Sequence, residues 1–152
     1  MPMIVAEESA ELAAPPETVY GIIADYREGH PSILPPRWFT HLHVEKGGNG
    51  AGTVIRLGLK MGGKAQEMRA EIIEPEPGRL LVEREIGGRG IVTSFTVDPA
   101  GPGRTRVTIR TTYRVPGIAG FIERLLAPAL LKRVYREELA MLEEKAGAVR
   151  TG

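Results

Sequence analysis

PGIAGFIERLLAPALLKRVYREELAMLEEKAG, residues 116–147, is the one long stretch of the chain in which apolar residues recur with a helical period, and its reading decides the fold. In its second half Leu131, Val134, Tyr135, Leu139, Leu142 and Ala146 fall on one face, opposite Lys132, Arg133, Arg136, Glu137, Glu144 and Lys145. The first half, Ile118, Phe121, Ile122, Leu125 and Ala129, is also periodic, with its stripe rotated by roughly a quarter turn from the second. Pro128 sits between the two. A proline removes one backbone donor and crowds the preceding turn, so a kink or short break is expected near Ala127, with Pro128 opening the longer segment.

Everything before this helix reads as short elements. Ile4, Ala6, Ala10 and Leu12 alternate with Val5, Glu7, Ser9 and Glu11, which predicts a first strand ending at Pro15-Pro16, with Glu8 on the apolar parity. Pro16, Glu17 and the spacing of Val19, Tyr20, Ile22, Ile23 and Tyr26 predict a short amphipathic helix. Prolines 31, 35 and 36 then limit residues 27–37 to one helical turn plus loop. From Trp38 the period changes to two. Residues 38–46, 53–61, 66–73, 80–86, 91–97 and 105–113 are predicted strands, separated by glycine and proline turn signals such as Gly47-Gly48-Asn49-Gly50 and Pro75-Glu76-Pro77-Gly78. Connections this short join antiparallel neighbours. The strands carry one dry face, as in Thr53, Ile55, Leu57, Leu59 and Met61 against Arg56 and Lys60, and the long helix is the only cover large enough for it. At ~1.5 Å per residue, its part after Pro128 alone reaches roughly 27 Å.

Bulk properties narrow the function classes. The 152 residues carry a formal net charge of +1, with basic residues scattered singly, so no dense positive face for nucleic acid is expected. The absence of cysteine excludes disulfides, thiolate nucleophiles and cysteine-ligated metals. No apolar run approaches the ~18 residues of a membrane span, and no basic region precedes Ile4 and Val5, so a single cytoplasmic domain over residues 1–152 without stable membrane insertion is the expectation.

The order of elements, together with ESAELAAPPETVYGIIADY from Glu8, KGGNGAGTVIRL from Lys46, IIEPEPGRLLVER from Ile72 and TSFTVDPAGPGRTRVTI from Thr93, resembles the START-like superfamily of polyketide cyclases/dehydrases and lipid-transport domains. The resemblance implies an α+β helix-grip fold: a seven-stranded curved antiparallel sheet wrapped around the C-terminal helix, with two short helices between the first and second strands. It also implies a cavity between sheet and helix. The glycine loop is not a dinucleotide fingerprint, because Thr53 replaces its third glycine and a strand follows.

On that fold the apolar lining is expected from Leu34, Leu57, Leu59, Met68, Phe95, Phe121 and Leu125. Tyr26, His30 and Trp38 are placed at the cavity entrance and Tyr113 at the end of the last strand, each a ring with a polar handle. Gln66, Thr93 and Thr111 supply further inward polar groups. Arg84 shares parity with Leu80, Val82 and Ile86, which predicts an inward guanidinium that must pair with Glu8, reach solvent or meet a ligand's polar group. His30 near Asp25 is a candidate acid or base without a second partner in sequence, and His41 and His43 share a strand face without a third metal ligand. No nucleophile elbow, paired carboxylates, phosphate loop or zinc motif is present, which counts against an enzyme. The expectation is a carrier of a hydrophobic or amphipathic small molecule, with no cofactor or metal. The alternatives are a polyketide aromatase/cyclase or dehydratase, and a protein-interaction module.

Overall fold

The chain forms one antiparallel sheet in the order β1-β7-β6-β5-β4-β3-β2, from β1 (Met3–Leu12), β2 (Phe39–Lys46), β3 (Val54–Met61), β4 (Lys64–Glu76), β5 (Leu80–Glu85), β6 (Val92–Pro99) and β7 (Thr105–Arg114). Two short helices, α1 (Pro16–Ala24) and α2 (Gly29–Ser32), connect β1 to β2, and α3 (Gly117–Thr151) closes the order. This computed structural model describes residues 3–61, 64–88, 90–114 and 117–151, and no side chain of residues 61, 64, 117–127 or 149–151. The seven antiparallel strands and the long C-terminal helix are the helix-grip architecture.

Period-two sequences set the two faces. On β7 the buried residues are Thr105, Val107, Ile109, Thr111 and Tyr113, while Arg106 and Arg110 are exposed. Cross-strand partners share a face, so Ile109 opposite Phe95, and Phe95 opposite Leu81, carry the same apolar layer from β7 to β5. Val134, Tyr135, Leu139, Leu142 and Ala146 of α3 pack into that layer with Val19, Ile23 and Ile33, and each fully buried aliphatic stabilises by about 1.5–3 kcal/mol relative to exposure. α3 lies along β1, at the opposite edge of the sheet from β2.

The glycine loop has a mechanical role. Gly48 O accepts from Tyr26 N at 2.9 Å and Gly50 N donates to Ala24 O at 2.9 Å, so the loop before β3 docks on the end of α1. Gly48 has φ 148°, and a Cβ there would lie 2.3 Å from Arg27 Nε. Gly29 is equally constrained: a Cβ would meet Ile22 O at 2.5 Å, so only glycine lets α2 approach α1 this closely.

Three expectations are corrected. The helix runs through Pro128 as one element, so no break occurs near Ala127. Glu8 does lie on the inner parity of β1, but its partner is Arg136, at 3.6 Å, and not Arg84. The largest correction concerns β5, where Leu81 and Glu83 are buried and Arg84 is exposed. Counting apolar residues favours Leu80, Val82 and Ile86 as the inner set, but register decides otherwise. Glu83 lies opposite Ile72 on β4 and Thr93 on β6, both on the inner face, which turns Leu80, Val82 and Arg84 outward. Arg84 then donates to Glu71 Oε1 from Nε at 3.0 Å and from the terminal nitrogen at 2.7 Å, with its side chain 53% exposed. Arg84→Met is therefore expected to change unfolding free energy by less than about 1 kcal/mol and to leave any interior ligand untouched; a loss of several kcal/mol in urea titrations would contradict the outward placement.

Candidate binding site in the sheet-helix interior

A polar belt crosses the inner face of the sheet under α3. Thr111 on β7, Thr93 on β6 and Glu83 on β5 are successive cross-strand partners, and all three are buried. α3 contributes Tyr135 and Glu138, three residues apart and so on one face of the helix. The α1–α2 corner contributes Tyr26 and His30, held there by the docked glycine loop.

These groups hydrogen-bond one another. Tyr26 donates its hydroxyl to Glu83 Oε2 at 2.6 Å, the hydroxyls of Thr93 and Thr111 are 2.7 Å apart, and Thr111 is bonded in turn to the Tyr135 hydroxyl. His30 Nδ1 lies 2.7 Å from Ile23 O, and since a carbonyl only accepts, that nitrogen carries a proton. Its Nε2 faces Glu83 Oε2 at 3.4 Å. The imidazole is stacked on Tyr26, with centroids 4.4 Å apart, and edge-on to Phe95 at 5.3 Å. Both ring nitrogens of His30 are thus engaged, and the residue positions Glu83. Asp25 is not its partner: that carboxylate accepts from the backbone amides of Arg27, Glu28 and Gly29.

Glu138 is different. It is 2% exposed, and burial first, then the nearby charge of Glu83, pushes its carboxyl well above the usual carboxylate range. No hydrogen bond to its carboxyl exists among the described residues, yet every described side-chain nitrogen or oxygen sealed from solvent has a partner. The oxygens of Glu138 therefore border space that a water-sized group reaches. Burial also raises the hydroxyl pKa of Tyr26 and of Tyr135, so both stay neutral donors. Among the described residues every lysine and arginine is exposed.

The sequence-predicted residues divide. Tyr26, His30, Thr93 and Phe95 come together in this belt, Leu34 is buried, and Leu57 faces Met68 across the β3–β4 pair. Tyr26 and His30 sit inside the core and not at a rim, a correction that follows from the α1–α2 corner folding inward over Glu83. Leu59 and Met68 are half-buried, and Tyr113 packs with Ile4 in a small separate cluster. Arg84 is outside, as described above, and Phe121 and Leu125 lie outside the residues whose side chains are described. Trp38 fastens the α2–β2 connection to α3: its Nε1 donates to Glu137 Oε1 at 3.2 Å beneath the guanidinium of Arg37, 4.5 Å from the ring centroid. The Arg37 hydrogen bond holds Glu137 below the usual carboxylate range. His41 and His43 rings are 5.0 Å apart, with His41 Nε2 on Glu67 at 2.9 Å, and no group of three metal-ligating side chains occurs among the described residues.

Glu83 and Glu138 were missed by sequence reasoning. For Glu138 a signal exists, because it falls at helical spacing from Val134, Tyr135 and Leu142 on the apolar stripe. For Glu83 none does without the pairing register.

A curved antiparallel sheet gripping a long helix is the helix-grip architecture, and the family comparison agrees. The chain belongs to the polyketide cyclase / dehydrase and lipid transport family, whose model matches residues 3–147. No curated protein matches the chain significantly. Among solved structures, KanY protein is 28% identical with a TM-score of 0.82, the alignment covering 97% of this chain and 99% of that one. The Zhui aromatase/cyclase from Streptomyces sp. R1128 is 19% identical with a TM-score of 0.79, covering 96% and 94%. A START superfamily protein from Mycobacterium smegmatis is 17% identical with a TM-score of 0.74, covering 95% and 98%. The last two likenesses are of fold. Among the described residues no helix is long and apolar enough to cross a membrane.

Proposed function

We propose that this protein binds and carries a hydrophobic or amphipathic small molecule, lipid-like or polyketide-like, between the sheet and α3. The observation that carries this reading is a strip of apolar side chains on the inner face of β2–β4 that the protein only half covers. Leu42 and Val44 lie opposite Leu57 and Ile55, and Leu57 lies opposite Met68, so all share the core parity. Yet Leu42, Val44, Leu59 and Met68 are only partly buried, while α3 sits along β1 at the other edge. A bound apolar molecule completes their burial, at about 25 cal/mol for each Å² removed from water.

The test is titration with Nile red, a neutral solvatochromic dye. The expected result is a blue-shifted, saturable emission that Met68→Glu weakens about tenfold or more, since it places a charge on the strip. No shift with the wild-type protein, or one that Met68→Glu leaves unchanged, would reject the reading.

The second reading, an aromatase/cyclase or dehydratase, draws on one observation, the burial of two carboxyls, Glu83 and Glu138, in the interior. A neutral carboxyl beside a hydrogen-bonded carboxylate is a pair able to donate and accept protons at one locus. An interaction module has less support: the large exposed apolar side chains among the described residues are Met3, Val5 and Ile86, and the first two are three strands away from the third.

A further inference from the structure

The geometry points to an acidic anchor, formed by Glu138 over Glu83, that accepts ligands whose buried end is a neutral oxygen group, a hydroxyl or a ketone, and rejects carboxylates of the same chain length. This rests on the binding reading above and adds the headgroup class. Two of the carboxyls in the structure lie inside, Glu83 at 7% and Glu138 at 2% exposure, and no described lysine or arginine accompanies them. Their neighbours are the hydroxyls of Tyr26, Thr93, Thr111 and Tyr135 and the imidazole of His30, whose two nitrogens face Ile23 O and Glu83.

Within this set Glu83 accepts a hydrogen bond from Tyr26, while Glu138 has no donor among the described residues. Its oxygens border reachable space, so Glu138 is the group that meets the ligand. A neutral carboxyl offers one O–H donor and one carbonyl acceptor. A ketone takes the donor; a hydroxyl uses both. A carboxylate brought to the same place adds a negative charge beside Glu83 with no described lysine or arginine buried there to offset it, a cost that grows in a water-poor interior. A protonated amine is the converse case. It favours an ionised Glu138 and would have to strip the proton that burial keeps there.

Competition against bound Nile red, at neutral pH and below micelle-forming concentrations, reads this directly with dodecanol, dodecanoate, dodecylammonium and dodecane. Dodecanol is expected to displace the dye at concentrations about tenfold or more below dodecanoate, a ratio equivalent to one good hydrogen bond. Glu138→Gln, which keeps one donor and one acceptor, should preserve that order, and Glu138→Leu should bring dodecanol down to dodecane. If Glu138→Leu fails to fold, the wild-type ranking and the glutamine variant still decide. Dodecanoate equal to or tighter than dodecanol, dodecylammonium tightest of all, or an unchanged ranking in a folded Glu138→Leu would each overturn the anchor while leaving binding intact. Failure of the dye itself to bind would overturn both.

Discussion

Glu138→Gln should stabilise the protein, and increasingly so as pH rises. The carboxyl is buried on α3 with its pKa raised from the ordinary value of 4.5, by desolvation first and the charge of Glu83 second. An acid whose folded pKa exceeds its unfolded value keeps its proton in the native state while the unfolded chain releases it. Below about pH 4.5 both states are protonated and nothing is lost; above it the unfolded state binds fewer protons, so stability falls with pH until the folded pKa is passed. Inside that window the limiting slope from this single group is ~1.4 kcal/mol per pH unit. Glutamine has nearly the same shape and no proton to lose. Urea titrations of both proteins at several pH values should therefore give curves that meet near pH 4 and diverge upward. Parallel curves would mean that Glu138 ionises in the folded protein as readily as in water.

A loss of similar size is expected from His30→Leu, in the opposite direction. The imidazole is 2% exposed, donates to Ile23 O, faces Glu83, stacks on Tyr26 and meets the edge of Phe95. Leucine fills part of the volume but leaves the buried carbonyl of Ile23 without its donor and removes the stacking and edge contacts of the ring. The orphaned carbonyl costs about 1–3 kcal/mol and the lost ring contacts add to it, so a fall of roughly 2 kcal/mol or more in unfolding free energy is expected. Tyr26→Phe, which deletes only the bond to Glu83, should cost less. Were His30→Leu as stable as the parent, the polar contacts of the imidazole would be energetically idle and Glu83 would be held by Tyr26 alone.

Strand and helix periods, with their turn residues, carried most of the fold. The alternation at Val107, Ile109, Thr111 and Tyr113 and the stripe from Val134 to Ala146 each stand where the sequence places them, because an apolar face has only one place to go. The interior chemistry was less legible. Tyr26 and Thr93 are neutral, so their inward placement costs little and follows from pattern. Charged residues are read outward by default, and for Glu83 on β5 that default failed. Glu83 is inside because its neighbours on β4 and β6 face inward and because Tyr26, more than fifty residues earlier, supplies its donor. Neither fact is local. Arg84 followed the majority parity of its own strand, which the adjacent strands overruled.

The pairing of β1 with β7 bears on how the molecule comes to be made. β1 is at the sheet edge, with Ile4 opposite Tyr113, so its ladder partner is synthesised roughly a hundred residues later. Closing a loop of that length costs on the order of 4 kcal/mol in chain entropy before any ladder bond repays it. The five consecutive hairpin pairings from β2 to β7 involve neighbours in sequence and face no such delay. β1, which precedes every other strand in the chain, is thus among the last to find its place, and α3, which lies along β1, waits with it.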